Sequence, residues 1–341
     1  MKTSVDLRSD TVTRPTPAMR AAMAAAEVGD DVFADDPSVN SLQEKVAHLL
    51  GKEAALFMAS GTQSNLVAIM SHCGRGDEYI VGQMAHTYRW EGGGAAVLGS
   101  VQPQPLEHQP DGSLPLAAIE AAIKPDDAHY ARSRLLCLEN TIGGKVLSLA
   151  YLEAACALAA RRGLSSHLDG ARLFNAAVAL GGDSRASARQ IAAPFESVSV
   201  CFSKGLGAPV GSALAGSRDF IGRAHRWRKM VGGGMRQAGV VAAAADHALD
   251  HHLDRLADDH ALAARLAAGL AGLPGLTVEP PQTNIVFADL ASDRAAGLMA
   301  HLKSHGVLAT GLYRLRFVTH LDVDAEGVDR AIAAMRDYLQ P

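Results

Sequence analysis

The sequence predicts an α/β fold: a large domain with a mostly parallel sheet sandwiched by helices, then a small C-terminal α+β domain. Three observations carry this. The 341 residues exceed what one small core organises. Short apolar runs alternate with helical patterns through the middle of the chain, which reads as βαβ units. From about Asp250 the texture changes to a long Ala/Leu helix followed by short strands.

In chain order, residues 1–40, with six Asp and three Pro, read as an irregular arm crossing from one lobe to the other. Residues 41–249 read as the large domain. Within it, FMASGTQSN (57–65) is an apolar run, a Ser-Gly-Thr turn and a helix start. Residues 79–81 read as a strand, and so does LLCLEN (135–140). YLEAACALAARR (151–162) is a helix ended by Gly163. SSHLD (165–169) and SVSVCFS (197–203) are two more strands. In the small domain, 250–341, a helix over 255–273 stops at Pro274–Gly275. Strands over 276–279 and 284–288, a helix over 294–305, strands near 307–310 and 314–319 and a helix over 325–338 follow.

Composition narrows the function. Hydrophobic residues make up 48%, and the net charge is −4 with no basic tract, which argues against nucleic acid. Four separated cysteines without a CxxC pair argue against a zinc ribbon or disulfide framework and fit a reducing cytoplasm. The first residues lack the apolar segment of a signal peptide, and no apolar run spans a bilayer.

Parallel sheets bind ligands beyond the carboxyl ends of their strands. Asn140, Asp169 and Lys204 stand at those ends. Burial at such a mouth disfavours an ammonium's charged form and frees a nucleophilic amine, so Lys204 is a Schiff-base candidate. The glycines after it let the backbone pass close to a ligand; the plain alternative is a solvated lysine in a turn. In HLDGAR, Asp169 suits a protonated pyridine nitrogen. At about 4 Å and an effective dielectric near 20, that attraction is roughly 4 kcal/mol. The alternative is an N-cap for a helix starting near Arg172. Ser60, Gly61 and Thr62 at a helix N-terminus suit a phosphate monoester, or simply cap the helix.

His86, after the 79–81 strand, is placed to stack on a ring or move protons, and Trp90 to line the same pocket. Both admit an ordinary core reading. His129 precedes a strand in a stretch that also reads as a surface loop. Arg314 and Arg316 lie two apart along a strand, and one of them is expected to reach inward to a carboxylate as a bidentate fork. Arg236 sits on a glycine loop able to cross a subunit boundary. His247 and His251, at i and i+4, form a two-ligand pair without an obvious third, which favours an exposed helix face over a metal site.

Taken together, DLRSDTVTRPTPAM, VGDDVFADDPSVN, SGTQSN, EYIVGQMAH, LENT, HLDGAR, CFSKGLGAPVGS, RWRKMVGGGMRQ and RFVTHLD resemble the L-threonine aldolases, low-specificity and L-allo forms. The resemblance runs in order from Asp6 to about Asp324. It implies a pyridoxal 5'-phosphate enzyme of fold type I with a seven-stranded sheet. It implies cleavage of L-threonine or L-allo-threonine to glycine and an aldehyde, and a homotetramer with shared sites. It assigns Lys204 to the covalent bond and Asp169 to the ring nitrogen. Gly61 and Thr62, with Arg236 of a neighbouring chain, go to the phosphate, and His86 to stacking. Ser9, Arg172 and Arg316 go to the substrate carboxylate, Arg172 also to the ring oxygen, and His129 to the substrate hydroxyl. His86, His129 and water remain alternatives as base, with His129 or water favoured. Phe33 stands where the family often has tyrosine, and Arg89–Trp90 replaces a smaller apolar pair; both bear on substrate fit. The competing readings are another pyridoxal-phosphate lyase, a serine hydroxymethyltransferase-like enzyme, a nicotinamide-dependent oxidoreductase lacking GxGxxG, or a cofactor-free binding protein.

Overall fold

The computed structural model describes residues 4–295, 297–311 and 314–340. Twelve strands are formed among them: β1 (Val5–Asp6), β2 (Ala54–Met58), β3 (Asp77–Gly82), β4 (Gln102–Leu106), β5 (Arg132–Glu139), β6 (Ser165–Gly170), β7 (Ser197–Cys201), β8 (Ser212–Gly216), β9 (Leu276–Val278), β10 (Ile285–Leu290), β11 (Val307–Leu308) and β12 (Leu315–Val318).

β2-β8-β7-β6-β5-β3-β4 make one seven-stranded sheet. The pairs β3/β4, β3/β5, β5/β6 and β6/β7 are parallel, and β8 runs against both its neighbours. Every residue of β7 is buried, as expected of a strand covered on both faces. The three strands expected over 135–140, 165–169 and 197–203 are the adjacent strands β5, β6 and β7. Glu139 pairs with Asp169, and Asp169 with Ser199. The helix expected over 151–162 is Leu149–Arg161, capped by Ser148, whose hydroxyl accepts from the Tyr151 N–H.

β12-β10-β9 form an antiparallel sheet, and β1 pairs in parallel with β11. Leu256–Leu270 and Ala325–Leu339 are the long helices beside them. The helix expected over 294–305 is two, Ser292–Ala295 and Leu298–Ser304. They part around Gly297, and a lone glycine weakens a helix there. The apolar core is divided. Val5 and Leu7 pack with Leu266, Phe317 and Met335, whereas Met19 packs with Leu42, Phe57 and Val198. The N-terminal arm is therefore anchored in both clusters. No helix among the described residues is long and apolar enough to cross a membrane.

A second anchor of the arm is ionic. The helix Arg218–Met230 buries Arg228 almost completely. Its Nη2 donates to Asp31 Oδ2 at 2.7 Å and its Nη1 to the Phe57 carbonyl at 2.9 Å. Removing one partner of a buried pair strands the other charge. Asp31→Ala should cost about 3–5 kcal/mol of unfolding free energy. The double variant Asp31→Ala/Arg228→Met, which also removes the stranded cation, should cost less. Chemical denaturation of the two variants measures both.

Candidate active site

Lys204 follows β7 and is half-buried. The backbone behind it turns back at Gly211, whose φ of +109° disfavours any side chain. A Cβ there would stand 2.7 Å from Phe57 Cε2, and one at Gly205 would stand 2.7 Å from Leu256 Cδ2. At these two positions the glycine makes room for the protein's own packing.

One strand over, Asp169 is a buried strand residue, and the N-cap of the next helix is Arg172. Its Oδ1 accepts from the Ala171 N–H at 3.0 Å and its Oδ2 from Asn65 Nδ2 at 2.9 Å. Asn65 donates equally to Glu91 Oε1, which lies 2.8 Å from His86 Nδ1. The acceptor groups of His86, Glu91 and Asp169 lie within 4.8 Å of one another. The Glu91 contact holds the His86 imidazole above its usual pKa against burial. Burial pushes the Glu91 carboxyl up as well. Trp90 is half-exposed with its ring centre 6.3 Å from that of His86, and the Arg89 guanidinium lies 5.4 Å over it.

At the end of β5, Glu139 Oε2 accepts from the His86 backbone N–H at 2.7 Å. Glu139 keeps some exposed surface, yet burial of its carboxyl, with the Asp169 charge beside it, pushes its pKa up to about 7. Neighbouring Asn140 turns inward: Oδ1 accepts from the Leu147 N–H, and buried Nδ2 has no partner among the described residues.

The helix Gly61–His72 aims its N-terminus at β7. Ser60 Oγ is taken by the Gln63 N–H, so the hydroxyl caps its own helix. A Cβ on Gly61 would stand 2.7 Å from Cys201 Sγ, so only glycine lets helix and strand approach this closely. The N–H groups of Gly61 and Thr62 take no acceptor among the described residues.

The arm completes the site. Asp10, fully buried, accepts from Arg172 Nε at 2.9 Å and Nη2 at 2.7 Å. Burial alone would raise the Asp10 carboxyl; Arg172, followed by Lys204 and Arg316, holds it well below the usual carboxylate range. Burial and the nearby Arg172 bring Arg316 down to about 10. Ser9 Oγ reaches Asp10 Oδ1 at 3.4 Å. Arg314 points elsewhere, to Asp289 and Glu279.

Lys204, Asp169, His86, Arg172, Arg316, Ser9, Gly61, Thr62 and Trp90 thus gather along one sheet edge. Three expected residues do not join them within one chain. His129 precedes β5, and seven residue steps at about 3.3 Å put roughly 23 Å of strand between it and Glu139. It is exposed and paired with Asp127. Phe33 is 71% exposed. Arg236 is exposed with Nη1 3.1 Å from Asp30. His247 and His251 lie with ring centres 4.4 Å apart and planes tilted by 44°. The sequence reading missed Asp10, Asn65, Glu91 and Glu139. Asp10, Asn65 and Glu139 lie inside the quoted stretches DLRSDTVTRPTPAM, SGTQSN and LENT, whereas Glu91 lies in none of them.

The profile of the beta-eliminating lyase family matches residues 6–293. The low-specificity L-threonine aldolase of Escherichia coli K12 is 52% identical over 335 residues, covering 98% of this chain and 99% of that protein. Low-specificity L-threonine aldolase 1 of Arabidopsis thaliana is 44% identical, covering 98% and 96%. Among solved structures, a threonine aldolase of Leishmania major superposes with a TM-score of 0.83 at 23% identity, covering 98% and 99%. That last likeness concerns the fold.

The Asp10–Arg172 pair has a pH signature. The folded-state pKa of Asp10 lies below its unfolded value. Its stabilisation is therefore present above about pH 4 and lost as pH falls toward the folded value. Asp10→Asn should be less stable by about 3 kcal/mol at neutral pH. The gap should stay flat down to about pH 5 and narrow below about pH 4. Urea denaturation across that range measures it.

Proposed function

This chain belongs to the beta-eliminating lyase family and, within it, to the low-specificity L-threonine aldolases; on that premise we propose that it cleaves L-threonine, L-allo-threonine and related β-hydroxy-α-amino acids, reversibly, to glycine and an aldehyde. The observation that carries this reading is the meeting of a lysine, a buried aspartate and two half-buried guanidiniums at one sheet edge.

We take the cofactor to be pyridoxal 5'-phosphate, which when bound supplies a conjugated electron sink for the pair released at the substrate's Cα. The residues present fit it. The unclaimed N–H groups of Gly61 and Thr62 suit its phosphate, with Arg236 from a neighbouring subunit. The enclosed Asp169 carboxylate, bonded to Asn65 and Ala171, keeps acceptor capacity for a protonated ring nitrogen. The Lys204 amine serves as the covalent anchor, and the His86 imidazole as the stacking face.

Arg172 gives Nε and Nη2 to Asp10, so Nη1 is left for a substrate carboxylate. Arg316 gives Nη1 to the Arg8 carbonyl and keeps its other donors. Two guanidiniums against one aspartate leave surplus positive charge where that carboxylate would sit. With Ser9, they fix rotation about the N–Cα bond, so the Cα–Cβ bond is the one poised to break. The β-hydroxyl proton leaves as the aldehyde forms, and Cα takes a proton to give glycine. Within one chain His86 is the histidine at hand: Glu91 engages Nδ1, which leaves Nε2 to accept. His129 reaches a site only from a neighbouring subunit, and water is the remaining candidate.

We place the enzyme in the cytoplasm as a homotetramer with sites shared across a dimer interface. The four cysteines are free and buried, which suits a reducing compartment. The Asp31 N–H donates to the Arg236 carbonyl, so the segment carrying exposed Phe33 is tied to the Arg236 loop. One edge of the chain thus presents both residues to a second copy.

Two outcomes test the reading. Lys204→Met should lose borohydride-trapped cofactor and all glycine formation. Full turnover without another labelled lysine would refute it, and pyruvate instead of glycine from the native protein would favour a β-eliminating lyase. Arg316→Ala should raise KM for threonine about 10- to 100-fold, the worth of a charge-assisted hydrogen bond, with cofactor content unchanged. Steady-state kinetics with both diastereomers measures this.

A further inference from the structure

A file of buried polar groups leads from Asp169 into the core, and the chemistry above does not use it. Asn65 donates from Nδ2 to Asp169 Oδ2 and to Glu91 Oε1, at 2.9 Å each. Its Oδ1 lies 3.2 Å from His167 Nε2. His167 and Asp169 are two apart on β6 and share a face. His167 Nδ1 lies 2.8 Å from Ser197 Oγ on β7, and that oxygen lies 2.7 Å from His72 Nε2. Asn65, His167 and Ser197 are all buried.

One arrangement of hydrogens satisfies every member. Two carboxylates accept from Asn65, so its NH2 faces them and its Oδ1 faces His167. His167 then carries its hydrogen on Nε2. A neutral imidazole with that tautomer accepts at Nδ1, here from the Ser197 hydroxyl. The same hydroxyl oxygen accepts from the His72 Nε2–H. Both rings are neutral at ordinary pH: burial, then His72, pushes His167 down to about 3. Burial, then Arg223, pushes His72 down to about 3. Every donor points toward the carboxylates, and bonds aligned this way strengthen one another. A flipped Asn65 would turn its carbonyl oxygen onto two carboxylates at once.

We propose that Asn65, oriented by His167, is a positioning residue that locks the Asp169 carboxylate toward the cofactor's ring nitrogen and ties it to the Glu91–His86 pair. The inference rests on the reading that pyridoxal 5'-phosphate occupies this site with its ring nitrogen at Asp169. Neither residue touches the reacting atoms. Asn65 acts through two carboxylates and His167 through Asn65. Their loss should therefore show in how the ring nitrogen holds its proton, more than in how the substrate carboxylate is bound by Arg172 and Arg316.

The test uses the full-length protein loaded with pyridoxal 5'-phosphate. Asn65→Ala and His167→Phe should weaken cofactor binding about tenfold, one buried hydrogen bond's worth. They should also move the pH titration of the bound cofactor's visible absorption, and lower kcat while threonine KM stays within about twofold. His167→Gln, which restores a donor toward Asn65, should recover most of the loss. Unchanged cofactor affinity and an unchanged absorption titration in Asn65→Ala overturn the proposal. If His167→Phe does not fold, Ser197→Ala decides. It keeps the packing and removes only the hydroxyl, and should move the titration in the same direction by less; no movement counts against the proposal. A native protein that binds no pyridoxal phosphate sinks the proposed function and this inference together. Native binding with indifferent variants sinks this inference alone.

Discussion

The parallel register of β5, β6 and β7 is the constraint from which the site follows. Parallel strands must be joined by crossovers, so their carboxyl ends emerge along one edge of the sheet. Neighbouring strands lie about 4.8 Å apart. Glu139, Asp169 and the turn that bears Lys204 are therefore brought side by side by backbone hydrogen bonding alone. A slip of one residue would send the Asp169 side chain to the other face of the sheet. The alternation within β7 resists such a slip: Val198 and Val200 pack in the apolar core, whereas the hydroxyls of Ser197 and Ser199 meet His167 and Ser64.

That edge holds an unusual density of charge for an enclosed place. Asp10, Glu91, Glu139 and Asp169 stand near Lys204, Arg172, Arg316 and His86. Buried charges persist only when paired and hydrogen-bonded. Asp10 is clamped by Arg172, Glu91 is shared between His86 and Asn65, and Glu139 holds the His86 backbone. The result is a set of fixed dipoles and ions that need not reorganise when charge develops on a bound molecule. The arm matters here because Asp10 comes from it. The segment that bridges the two apolar clusters also sets the charge balance at Arg172.

The single chain leaves part of the expected machinery facing outward. Phe33 and Arg236 lie on segments joined by a backbone hydrogen bond, and His129 lies at the far edge of the sheet. An exposed aromatic and an exposed arginine on one edge suit an interface whose centre favours such residues. Shared sites would also explain why Trp90, next to His86, keeps nearly half its surface open.

The sequence alone determined the alternation of strands and helices, the three polar groups at strand ends, and the ordered motifs that mark the family. These are signals of near neighbours: period-two burial, capping residues, and a lysine or aspartate immediately after an apolar run. It did not reveal Asp10 against Arg172, 162 residues away, nor Asn65 against Asp169, 104 away, nor Glu139 under His86, 53 away. It favoured His129 or water as base, and the fold puts His129 a full strand's length from the other groups of its own chain. Nothing local distinguishes an aspartate that will meet an arginine from one that will meet water. Only the closing of the sheet, the docking of the arm and the burial that follows decide which charges must find each other.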